Sequence, residues 1–124
     1  MAVILYRICE NSPPSAEDFT SHVSSAVKRK IAQAKAALKR NPKDCDPSGL
    51  SVFLTEQRIR HACSVFRFAE GAYVYTIKVE TDEGVIQPTR SDGHFTYWPL
   101  KSTKLKDRAQ LAFGPVDRAT VYVA

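Results

Sequence analysis

The chain has 124 residues, 44% of them hydrophobic and 25% charged, with a formal net charge of +5 and a pI near 9.2. That length suits one compact domain with its own core, and the apolar content excludes wholesale disorder. The positive balance favours an anionic partner such as nucleic acid, nucleotide phosphates or an acidic protein, and composition does not choose among them.

Residues 1–9 read as a first strand, with Val3, Leu5 and Arg7 on one side and Ile4, Tyr6 and Ile8 on the other. Strong β-formers on both faces predict an internal strand. A charged side chain at position 7 is then costly unless it is paired, faces a cleft or reaches solvent from the strand's end, and the sequence leaves these open. Pro13 and Pro14 stop any helix through the following loop. Ser15 is positioned to cap the next helix, with Asp18 as a capping-box partner three residues on. Phe19, Val23, Val27, Ile31, Ala34 and Leu38 then recur every three or four residues, predicting one long amphipathic helix ending near Asn41 and Pro42. Lys28, Arg29, Lys35, Lys39 and Arg40 crowd it, as a solvated face or as a grip on nucleic acid or an acidic protein.

Residues 49–80 form the centre of the pattern: a strand through Leu50, Val52 and Leu54, a helix capped by Thr55, and a second strand. Ile59, Ala62, Cys63 and Phe66 recur at helical spacing, and Tyr73, Tyr75, Ile77 and Val79 then share one strand face. A tight turn at residues 81–84 leads to an extended piece that ends at Pro88. Residues 89–100, TRSDGHFTYWPL, read as an irregular loop because Gly93 and Pro99 interrupt it. Arg90, His94, Tyr97 and Trp98 within it either hold a nucleotide, by stacking and by contacts to phosphate, or simply close the core. Residues 101–108 are basic and polar, hence exposed; 109–113 suggest a turn of helix, and 119–123 a terminal strand.

No Walker loop, GxGxxG, HExxH or nucleophile elbow is present, and His22, His61 and His94 are too scattered to define a metal centre. The three cysteines, Cys9, Cys45 and Cys63, include no CxxC pair, so neither a disulfide framework nor a zinc cluster is expected, and a reducing cytoplasm fits. The apolar run at residues 2–5 is too short for a signal peptide, and no membrane span or membrane partner is expected. The fold class is therefore α+β: a single domain over residues 1–124, with a small mixed or mostly antiparallel sheet packed by one long and one short helix.

Three segments, LYRICENSPPSAEDF, GLSVFLT and TRSDGHFTYW, together resemble a group of small bacterial proteins that begin with an LYRI strand and carry GLSVY-like and GHxTxW-like segments. That resemblance covers most of the chain and implies an architecture without an activity. More distantly, the chain resembles the ADP-ribosyltransferase superfamily and its RES-domain relatives, which fold NAD into a cleft between two small sheets. The resemblance implies NAD as cofactor, with Tyr6 and Arg7 on the first strand and Ser51 and Thr55 at a strand-to-helix corner supporting it. Arg90 and Trp98 join the expected binding set, and Arg7, His94 and Tyr97 form the expected catalytic one. Such transferases usually carry a glutamate on a late strand, and residues 119–124 contain no acid. The functional expectation is an NAD- or nucleotide-binding transferase-like protein, toxin or defence effector; the alternative is a non-enzymatic basic module using the Lys28 to Arg40 face.

Overall fold

The computed structural model describes residues 1–19, 25–38, 44–46, 49–89 and 93–122. Six strands form one sheet in the order β4-β5-β2-β1-β3-β6, with every pairing antiparallel. They are β1 (Ala2–Cys9), β2 (Leu50–Phe53), β3 (Tyr73–Glu80), β4 (Gly84–Pro88), β5 (His94–Pro99) and β6 (Ala109–Phe113). The helices are α1 (Ser25–Leu38), α2 (Glu56–Val65) and the short α3 (Leu105–Arg108). The class is α+β.

Strand parity divides the core into two faces. On one, Ile59, Ala62 and Cys63 of α2 pack on Phe53 of β2 and Val74 of β3, with Val116 and Val121 closing the far side. The same face continues onto β4 and β5, where Val85 and Trp98 bury Ile31 of α1. On the opposite face Leu5, Leu50, Val52, Ile77, Val79 and Tyr97 meet Leu105 of α3, and Phe19 packs at the edge of this cluster.

The central strand-helix-strand unit forms as its pattern predicts, with β1 lying between β2 and β3. Thr55 caps α2: its Oγ1 accepts a hydrogen bond from the Arg58 amide at 3.2 Å. Of the helix expected from Phe19, Ala16–Phe19 is a 3-10 turn and α1 spans Ser25–Leu38, while residues 20–24 and 39–42 lie outside the described residues. Four further segments differ from expectation. Segment 94–99 is a regular strand, since Phe95 and Tyr97 face one cluster while Trp98 faces another, an alternation that aromatic bulk masks in the sequence. Residues 109–113 make an edge strand on β3 instead of a helical turn, and the described residues of 119–123 form a turn in which the Val121 amide donates to the Asp117 carbonyl. Within 101–108, Leu105 is buried and anchors α3, and Arg108 donates two hydrogen bonds to the Glu83 carboxylate.

The sheet is unequal along its width. β1 pairs with β3 over all eight residues, from Ala2 with Glu80 to Cys9 with Tyr73, whereas β1 and β2 are in register at Tyr6 and Phe53 alone. The sheet thus consists of two three-stranded halves, β4-β5-β2 and β1-β3-β6, joined at one point and parting beyond it.

Leu5→Ala, at a fully buried position of the central strand, is expected to lower the free energy of unfolding by about 2–5 kcal/mol in urea titrations. Thr55→Ala should cost about 1 kcal/mol through loss of the α2 cap.

Candidate functional site

Where the two half-sheets part, the backbone carbonyl of Ser51 lacks the ladder donor that β1 would otherwise supply, and Arg7 takes that place. Its Nη1 donates to Ser51 O at 2.8 Å and its Nε donates to Asp18 O at 2.6 Å. The guanidinium therefore ties β1 to β2 and to the 3-10 turn at once. Burial lowers its pKa from the ordinary guanidinium value, while the nearby Cys9 and Asp18 act in the opposite sense. The same burial pushes the Cys9 thiol up to about 12, so at neutral pH it is no nucleophile.

The loop leading to that turn is organised by one carboxylate. Asp18 accepts from the amides of Ser15 at 2.7 Å and Glu10 at 2.9 Å and from the Asn11 side chain at 3.2 Å. Its contact to the Ser15 amide is the capping-box bond that the Ser15 to Asp18 spacing predicts. Burial works against the ionised carboxylate, but these hydrogen bonds prevail and hold its pKa below the usual range.

A cavity of about 290 Å³ opens at the split, lined by Arg7, Ile8, Ser51, Phe53, Phe66, Phe68 and His94. His94 stands on β5 opposite Phe53, its ring edge-on to the phenyl at 5.5 Å, and its Nδ1 lies 2.9 Å from the Thr89 hydroxyl. Thr89 in turn contacts the Thr96 hydroxyl at 2.9 Å, so the imidazole is held by a short polar chain. Phe66 and Phe68 stack with centroids 5.4 Å apart at 16°, and Phe68 is 59% exposed. A second hollow of about 310 Å³ shares Arg7, Ile8 and Phe68 with the first and extends over Glu10, Asn11, Glu17 and Asp18.

Arg7, Ser51 and His94 thus come together from the first, middle and last thirds of the chain. Other expected site residues do not join them. Tyr97 lies on the opposite face of β5, buried among Leu50, Val52 and Ile77, with its hydroxyl donating to Glu83 O at 3.3 Å. Burial, with the Glu83 charge, raises its pKa well above the usual phenol value, which suits a structural phenol rather than a proton carrier. Trp98 is 1% exposed under Ile31 and Val85, and its Nε1 has no hydrogen-bond partner among the described residues. A Cβ on Gly49 would fall 2.6 Å from that nitrogen, so the indole occupies the space a larger residue would need. Tyr6 packs against the α2 core, and the Thr55 hydroxyl is committed to the helix cap. Lys28 and Arg29 are exposed on α1 and Lys35 is half-buried. Arg90, Lys39 and Arg40 lie outside the described residues.

Sequence reasoning passes over the role of Phe66 and Phe68. Helical spacing assigns the former to the buried face of α2; it is instead the extended residue that ends the helix, with φ −85° and ψ 124°. Two phenylalanines spaced i, i+2 across FRF cannot share a helix face, and that spacing is the available signal.

Asp18→Asn replaces an acceptor with an amide facing amide donors and is expected to destabilise the fold at neutral pH by about 1–3 kcal/mol. Because the native carboxyl has a lowered pKa, its contribution is complete above the ordinary carboxylate range and fades as pH falls through the native value. The stability difference between wild type and variant, measured by denaturation from neutral to acid pH, should therefore shrink toward acid.

Comparisons of the chain with models of known protein families, with curated proteins and with solved structures gave no match.

Proposed function

We propose that the cleft between the two half-sheets binds NAD or a related nucleotide, as the resemblance to ADP-ribosyltransferases implies. The observation that carries this reading is the convergence of Arg7, Ser51 and His94, from three strands, on one cavity flanked by a stacked pair of phenylalanines. A guanidinium is the side chain best suited to phosphate oxygens, and Arg7 retains a nitrogen, Nη2, without a protein partner among the described residues. Phe68, exposed at the rim, offers a face on which a heterocyclic base can stack. His94, fixed through Nδ1, supplies a polar edge beside Phe53.

The proposal extends to binding and stops short of group transfer. The last strand among the described residues, β6, reads AQLAF and offers no acid to stabilise charge developing on a ribose.

Calorimetric titration with NAD and ADP-ribose should give saturable binding, weakened about tenfold by Phe68→Ala and by His94→Ala. Arg7→Lys keeps the charge but loses the planar fork and should weaken binding as well. Flat titrations with both ligands overturn the reading. Reversing Lys28 and Arg29 to glutamate should leave nucleotide affinity intact; a loss there, together with steep salt dependence, would point instead to the basic helix as the binding surface.

A further inference from the structure

The two edges of the sheet differ in how they are protected. β4 ends at Pro88 and packs beneath Ile31 of α1, whereas β6 carries neither proline nor charge and pairs with β3 alone among the described residues. An edge strand of that kind presents its outward N–H and C=O groups to any strand that can lie beside it. Register sets its side chains: Ala109 and Leu111 stand opposite Ile77 and Tyr75 on the Leu5 face, and Gln110 stands opposite Thr76 on the other. Leu111 is 54% exposed, although Ala109, its neighbour on that face, packs against the core. Beyond Leu111 the register shifts, so that Phe113, opposite Val74, turns to the α2 side and Ala112 is the extra residue of a bulge.

We propose that β6 is a self-association edge, on which a second copy of this chain pairs antiparallel about a twofold axis at Gln110. In that register Ala109 of each copy lies opposite Leu111 of the other, so the exposed leucine covers a small residue on its own sheet face and the Leu5 cluster runs on across the junction. The two Gln110 side chains meet at the axis, where each amide both donates and accepts. A twofold sets the residues at its axis against their own copies, which disfavours charge there. AQLAF has none in a chain of net charge +5, and Arg108 at its end is tied to Glu83. Moving the axis to Leu111 sets Ala109 against Phe113, whose side chain points to the other face, so the bulge selects the axis at Gln110. The paired segment is short, and an interface below the standard size gives weak association, with a dissociation constant on the order of 10–100 µM. β6 contributes no residue to the cleft, so this inference is independent of the nucleotide reading.

Sedimentation velocity and disulfide trapping on the full chain test it. Wild type should sediment as a monomer at about 5 µM and shift toward a dimer by about 500 µM. Leu111→Lys puts a charge on the exposed edge and should stay monomeric over that range, with an unchanged circular dichroism spectrum. Cys9, Cys45 and Cys63 are buried, so Gln110→Cys supplies an exposed thiol of its own. Directly opposed residues of an antiparallel pair have Cα atoms about 4.5–5.5 Å apart, within the range of a disulfide, and copper-catalysed oxidation should yield a covalent dimer. Ala112→Cys, about 13 Å from its copy along the strands, should not crosslink. A monomer at every concentration, a dimer that persists in Leu111→Lys, or trapping at position 112 as efficient as at 110 overturns the proposal.

Discussion

A single guanidinium holds together the part of this molecule where the sheet is incomplete. β1 and β2 share one registered pair, Tyr6 with Phe53, and then separate; the carbonyl of Ser51 is met not by a backbone amide but by Nη1 of Arg7. Through Nε the same side chain fixes the carbonyl of Asp18, which closes the preceding turn. A carbonyl that has left its ladder needs another donor, and an arginine with its planar fork can reach two of them from different segments at once. The cost of burying its charge is offset by these bonds, and the gap it bridges is also the gap that opens as a cavity.

The two faces of the sheet explain why the aromatic residues of β5 diverge in role. Phe95 and Tyr97 point into the cluster around Leu5 and Val52, whereas His94 and Trp98 point toward the α2 and α1 side. The length of strand between His94 and Trp98 is sufficient for α1 to cover the indole while the imidazole reaches the cleft. A short segment that looks uniformly functional in one dimension is thus divided by strand parity into a core portion and a cleft portion.

Around the cleft, backbone and side-chain interactions set geometry before any ligand is considered. Asp18 gathers the amides of Glu10 and Ser15, which places Glu10, Asn11 and Glu17 along one wall. On the other wall, α2 ends at Phe66 and the chain turns through Arg67–Ala69, presenting Phe68 outward while Ala69 is buried. The Arg118 guanidinium donates to the carbonyls of Ser64 and Val65, satisfying acceptors at the end of α2 from which that aromatic pair departs.

Periodicity and turn chemistry determined the local elements: the first strand, the Ser15 to Asp18 cap, the Thr55-capped helix, the strand at Tyr73–Glu80 and the α+β class all arise from patterns within ten or so neighbouring residues. Arg7 was legible as an anomaly, since a charge on a two-sided apolar strand requires a partner, but the identity of that partner was not. Ser51 O lies 44 positions away and becomes available only because β1 and β2 part beyond the Tyr6–Phe53 pair. That Trp98, which the sequence offers as a ligand contact, is buried while Phe68, which it leaves unremarkable, lines the cavity was likewise a tertiary decision. Whether a large aromatic is buried depends on which helix lies over it, and that is fixed by packing between distant segments rather than by the residues beside it in the chain.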